Sequence, residues 1–290
     1  MKSANTIFLV ILLFCLLVHC GESKNEAQQN SGHDGWLILT DIAPDHEAHH
    51  LNHFATFGPH VKNFNNGINE AILKGIDIVQ SHAIDGGTYF TGKNAVPTES
   101  PVNYNLKLFD KDLIAIPRSS SYCSGATYAA FIEALNIILA GKADRLSYDR
   151  YEALRMQEPD GGRREDCIKF WGYWNADGFG NHFALCQYAT MGEVVQPREA
   201  RPGDFANISW TNGGGHSVIF LGWTTIEGDK KLLYWSSQTG TNGYGDQIVS
   251  LQRINTIKIV RLIDPEKIFD YDIAAEVDIH IPGDSIGWDD

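Results

Sequence analysis

Two residues far apart in the chain have the types and settings needed for nucleophilic amide chemistry. Cys123 lies in Ser121-Tyr122-Cys123-Ser124-Gly125-Ala126-Thr127, where a small polar run hands over to a strongly periodic segment. A thiol at a helix N-terminus meets the positive end of the macrodipole and unpaired backbone N–H groups, and both favour the nucleophilic thiolate. Such a nucleophile needs a group that takes its proton and later returns one to a leaving amine. His216 qualifies by type, because imidazole titrates in the right range. It opens the run Gly215-His216-Ser217-Val218-Ile219-Phe220-Leu221-Gly222 at the first position of a predicted strand. Each residue also has a plainer reading: free cysteines are often simply buried, and a histidine at a strand start is often a hydrogen-bonded surface residue.

The elements that must position this pair follow from apolar periodicity. Tyr128, Phe131, Ile132, Leu135, Ile138 and Leu139 recur at helical spacing behind Cys123. An earlier amphipathic helix is predicted over residues 68–79, from Ile68, Ala71, Ile72, Ile76 and Val79, and a later one near 147–156. A short helix is expected over 182–190, a short strand over 36–40, and irregular chain over 83–117. The stretch 158–180 reads as a long surface loop whose Trp171, Tyr173 and Trp174 are available to shape a cleft. After Gly192 the texture changes to β-branched and aromatic runs at 205–210, 217–223, 231–236 and 257–263, separated by turn residues. The expected class is α+β, with helices first and a small, curled antiparallel sheet after them.

Three pieces, in order, resemble the NlpC-type cell-wall cysteine peptidases, a branch of the papain-like clan. Cys123-Ser124-Gly125 is similar to that family's nucleophile motif. Arg201-Pro202-Gly203-Asp204-Phe205 is similar to its turn into the sheet, and the strand that begins Gly215-His216 to its histidine strand. The resemblance spans roughly residues 66–263. It implies a papain-like fold and a Cys–His hydrolase of peptide or amide bonds in bacterial cell-wall stems, working without a cofactor. It also implies a third polar residue that orients the histidine from the next strand. Gln238 is the nearest chemical match there, with Ser236 and Ser237 as rivals. A tyrosine near the oxyanion is implied as well. Tyr89, after Gly86-Gly87-Thr88, is the candidate and Tyr122 the alternative, although the insertion leading to Cys123 is longer than the family's usual one.

A rival constellation stands near the start. His46-Glu47-Ala48-His49-His50 satisfies the HExxH pattern of zinc peptidases, and His53 and His60 add to a His-rich region. Pro44 and Asp45 directly before it mark a helix start, and His53 stands where the extended motif wants glycine. A solvated His-rich helix is the plainer reading of His46, His49, His50 and His53. A non-catalytic envelope-binding lipoprotein on the same fold is the other alternative to the hydrolase.

Residues 1–20 read as an export signal: Lys2 supplies the positive start, and Ile7 to Val18 form an apolar core shorter than a membrane span. Leu17-Val18-His19-Cys20 resembles a lipoprotein cleavage site in which Cys20 would carry lipid, with His19 an unusual residue before it. Residues 21–35 form a polar tether, and 36–290 form one domain with an N-terminal extension (36–65) and an acidic C-terminal segment (264–290). The expected location is the cell envelope or the exterior. A formal net charge of −13 disfavours nucleic acid and anionic membrane surfaces as partners. Of five cysteines, Cys167 and Cys186 are a candidate disulfide in an oxidising compartment, which would leave Cys123 free.

Overall fold

The computed structural model describes residues 35–41, 52–82, 88–89, 102–162, 170–171, 180–277 and 286. In chain order the elements are β1 (Ile38–Leu39), α1 (His53–Phe57), α2 (Ile68–His82), β2 (Thr88–Tyr89), β3 (Leu106–Leu108), β4 (Lys111–Ile114) and β5 (Ser120–Ser121). They continue with α3 (Cys123–Ile138), α4 (Tyr148–Leu154), a π-helical turn (Phe183–Tyr188) and β6 (Gly192–Val195). The strands β7 (Phe205–Trp210), β8 (Gly215–Ile226), β9 (Asp229–Gln238), β10 (Gly243–Ser250) and β11 (Ile254–Leu262) complete the order. The molecule mixes helix and sheet, with its longer helices first and its main sheet after them, in the α+β order expected.

The main sheet runs β10-β9-β8-β7-β11-β6, with β1 added in parallel to β8 at Trp223 and Thr224. The pairings of β7 with β8, β8 with β9 and β9 with β10 are antiparallel. Period-two alternation divides β8 and β9 between two cores. Ile219, Leu221, Leu233 and Trp235 join the cluster built on α2 and α3, whereas Val218, Phe220, Leu232 and Tyr234 join a second cluster with Ala206, Ile208 and Ile257. Adding β1 brings residues 36–41 into the domain: Leu39 packs into the first cluster and Trp36 into the second.

Helix α3 is buried almost all round, from Ser124 through Ile132 and again at Ala134 and Leu135. A helix apolar on every side belongs between two layers, and α3 lies between α2 and the sheet. The close approach of α2 is made at Gly75, where a Cβ would come within 2.4 Å of the Ala130 carbonyl oxygen. No side chain larger than hydrogen fits there.

Several expectations are revised. The first long helix runs three residues further than predicted, to His82, and the 83–117 stretch contains the β3–β4 hairpin, whose Leu106, Leu108, Leu113 and Ile114 are fully buried. The short helix over 182–190 is a π-helical turn, and β6 and β10 were not anticipated. Phe170 and Trp171 are core residues, not part of a surface loop: both are completely buried, and Trp171 stacks on Phe131 with ring centroids 4.9 Å apart. Tyr173 and Trp174 lie outside the described residues. Cys186 is a free thiol, which runs against the expected bridge; Cys167 lies outside the described residues.

Candidate active site

The turn into the sheet is a structural knot. Asp204 is fully buried and accepts hydrogen bonds from Arg261 Nε (3.0 Å) and Nη2 (2.7 Å), from Asn69 Nδ2 (2.9 Å) and from the Arg201 backbone N–H (2.8 Å). Burial pushes the Asp204 carboxyl up and Arg261 opposes that shift. Gly203, at φ +93°, brings the backbone against Asn69, whose carbonyl oxygen would lie 2.9 Å from any Cβ. One carboxylate thereby joins α2, β11 and the start of β7. The Pro-Gly-Asp sequence positions the sheet.

From that anchor β7 turns back into β8, whose first residues meet the N-terminus of α3. The Cys123 sulfur accepts backbone N–H groups from Ser217, Ser124 and Cys123 itself. The N–H of Ser217 is available because β8 and β9 separate at this end: their ladder begins at Ile219 and Trp235. The Ser217 carbonyl is met instead by Ser236 Oγ at 2.7 Å. The side chain of Ser217 is locked toward α3, with Thr127 Oγ1 at 2.8 Å and Asn181 Nδ2 donating at 3.2 Å. Trp171 Nε1 donates to Thr127 Oγ1 at 2.8 Å. This buried chain of polar groups fixes the height of β8 against the cysteine helix.

The three N–H groups pull the Cys123 thiol toward ionisation, as a helix N-terminus should. Burial outweighs them, and the net shift is upward. The direction runs against a resting thiolate, although Cys123 is only half-buried: desolvation of the anion outweighs the donors.

His216 precedes Ser217, so its side chain emerges on the other face of β8. Its ring lies 5.5 Å from Tyr234 and 6.0 Å from Trp210, centroid to centroid. Burial drives its pKa down to about 4, against a raising influence from the Gln238 carboxamide. Gln238 donates through Nε2 to Thr241 Oγ1 (2.7 Å) and to the Gly245 carbonyl (2.9 Å), which fixes the amide. Its oxygen and His216 Nε2 are both buried and neither completes a hydrogen bond. Of the two serines weighed against Gln238, Ser236 is spent on Ser217, and Ser237 Oγ lies 2.8 Å from Ser121 Oγ.

Tyr89 connects the two halves. The pairing of β2 with β5 sets it opposite Ser121, two residues before Cys123. Its pKa is pushed to about 12 by burial and by the neighbouring Cys123. Tyr89 also lines an open cavity of about 250 Å³ together with His216, Gln238, Tyr234, Trp210 and Arg253. Tyr122, the alternative, is buried in the first core cluster. The structure thus groups Cys123 with Tyr89, and His216 with Gln238. It places the two pairs around one strand end but forms no hydrogen bond between Cys123 and His216.

The rival constellation is only partly described. His46, His49 and His50 lie outside the described residues. His53 is completely buried between two carboxylates, with Nδ1 2.8 Å from Asp77 Oδ1 and Nε2 2.8 Å from Asp246 Oδ1. These partners hold its pKa at about 9 despite burial. Both nitrogens of an imidazolium donate, so His53 has no lone pair left for a metal. Among the described residues no group of three or more His, Cys, Asp or Glu side chains is arranged to hold a metal ion. Sequence reasoning missed this Asp–His–Asp unit because its partners stand 24 and 193 positions away. Among the described residues no helix is long and apolar enough to cross a membrane, and the expected export signal lies outside those residues. Compared with models of protein families, with curated proteins and with solved structures, the chain matches none.

Proposed function

We propose that this chain is an exported cysteine hydrolase of amide or peptide bonds, built on an NlpC-type, papain-like arrangement and acting on cell-wall stem peptides. The observation that carries this reading is the contact of the Cys123 sulfur with the N–H of Ser217, one residue along β8 from His216. His216 and Gln238 line one cavity with Tyr89, and Tyr89 in turn neighbours the Cys123 thiol.

In this chemistry the resting pair is neutral, thiol and imidazole. On this reading the His216 ring must turn from its place beside Tyr234 and Trp210 onto the sulfur when substrate binds. His216 takes the Cys123 proton, and the thiolate attacks the carbonyl carbon. The oxyanion is met by the Cys123 N–H and the Tyr89 hydroxyl. His216 returns the proton to the leaving amine, and water hydrolyses the thioester. Gln238 holds the ring angle through its amide oxygen.

The experiment is turnover of stem peptides of bacterial peptidoglycan by the wild type and by Cys123→Ala, with circular dichroism to confirm folding. Loss of hydrolysis in a folded variant supports the reading, and equal turnover refutes it. A non-catalytic binding protein is the second reading, favoured by the raised thiol pKa and by the missing Cys123–His216 hydrogen bond. It predicts stem-peptide binding without turnover in either protein.

A further inference from the structure

We infer that the cavity beside His216 is a subsite for a carboxylate carried by the substrate, and that Arg253 is the residue that recognises it. This inference rests on the hydrolase reading for its place next to the reacting bond. The cavity is lined by residues from several strands and turns, among them Tyr89, Trp210, His216, Tyr234, Gln247 and Arg253. Among the described residues of that lining, Arg253 is the only Lys or Arg, and none is Asp or Glu. His216, at a pKa of about 4, is neutral at ordinary pH.

Arg253 is exposed, and no carboxylate among the described residues pairs with it. Its guanidinium carbon lies 5.7 Å from the centre of the Trp210 ring. That is cation–π range, which draws the guanidinium to the Trp210 wall of the cavity, where its N–H groups can meet a bidentate acceptor. Around it the cavity offers neutral groups: Gln247 accepts from the Tyr234 hydroxyl through Oε1 at 2.8 Å, which leaves its amide protons as donors. One cation among neutral donors, with no carboxylate among the described lining residues, suits a carboxylate better than an amine or an apolar side chain.

The separation is set through Trp210, whose ring is 6.0 Å from His216 and 5.7 Å from Arg253. An extended chain advances about 3.4 Å per residue. The recognised carboxylate therefore belongs to a residue within about three positions of the bond cleaved. At long range the net charge of −13 repels anions, so selection of an acidic substrate depends on this local contact.

The test uses two capped pentapeptides, acetyl-Ala-Glu-Ala-Glu-Ala amide and its Gln counterpart. Their binding to Cys123→Ala protein is measured by calorimetry, and their hydrolysis by wild-type protein is followed. We expect the Glu peptide to bind at least tenfold more tightly, Arg253→Gln to abolish that preference, and Arg253→Lys to keep part of it. Equal affinity for the two peptides, no binding of either, or a preference that survives Arg253→Gln overturns the subsite. Arg253-dependent preference without turnover by the wild type supports the subsite and counts against the hydrolase. Turnover with no preference between the peptides does the reverse.

Discussion

Thr127 Oγ1 and Ser217 Oγ lie 2.8 Å apart in the buried seam where the cysteine helix meets β8. Each hydroxyl serves a second partner, Trp171 Nε1 for Thr127 and Asn181 Nδ2 for Ser217. Removing one therefore strands groups that water cannot reach. Thr127→Val and Ser217→Ala should each lower stability by about 1–3 kcal/mol, the usual cost of leaving a buried polar group unsatisfied. Urea unfolding measures this. A loss under about 0.5 kcal/mol in both variants would show that the seam relaxes around the missing hydroxyl.

The protonation of Cys123 gives a second prediction. Burial holds the thiol above its ordinary 9.0. Alkylation by iodoacetamide, followed at the Cys123 peptide by mass spectrometry, should be slow at neutral pH and rise only above the range of a free cysteine. A labelling midpoint below pH 8 would mean that a thiolate–imidazolium pair forms at rest after all.

His216 and His53 pull the pH dependence of stability in opposite directions. His216 has its folded pKa lowered from 6.5 to about 4, so the unfolded chain binds its proton first. Its contribution is present above pH 6.5 and is lost as pH falls toward 4. His216→Gln should flatten that acid limb in denaturant midpoints measured from pH 7 to 4. An unchanged acid limb would mean that other groups control it.

For His53 the folded pKa is raised from 6.5 to about 9 by Asp246 and Asp77. The folded state now holds the proton more tightly. This stabilisation is complete below pH 6.5 and fades as pH rises through 9. His53→Gln should cost about 3–5 kcal/mol at pH 6, because it leaves buried carboxylate unpaired. The cost should shrink by pH 10. A penalty that is the same at both pH values would argue that His53 is neutral in the fold.

Asp204 and Arg261 form a bidentate pair at 3.0 and 2.7 Å, with Asp204 fully buried. Asp204→Ala leaves the guanidinium without its buried carboxylate, with Glu193 and the Glu199 carbonyl remaining, and frees Asn69 and the 201–204 turn. The expected loss is about 3–5 kcal/mol by thermal or chemical unfolding. Arg261→Met in the same background should recover part of it, since the orphaned charge is then gone. No recovery would place the effect in the turn instead.

Much of this arrangement is set by local pattern. Helical periodicity alone marks α2 and the burial of α3, and β-branched runs mark β7, β8 and β11. Cys123 at a helix start and His216 at a strand start are both visible in the same way. What local pattern misses is polar chain made structural by distant partners. β10 carries Gly243, Gly245, Asp246 and Gln247, which read as a loop. It is a strand because β9 pairs with it and because Asp246 meets the imidazolium of His53.

Trp171 shows the same limit from the other side, since a glycine- and aromatic-rich stretch reads as surface until Thr127 and Phe131 receive it. Protonation depends on tertiary structure as well. Sequence places Cys123 where a dipole favours the thiolate, but partial burial by distant segments, which is a property of the packed fold, pushes the thiol the other way. The residue types and the backbone periods belong to the sequence itself. The partners of each polar group, and therefore its charge, exist only once distant segments exclude water from it.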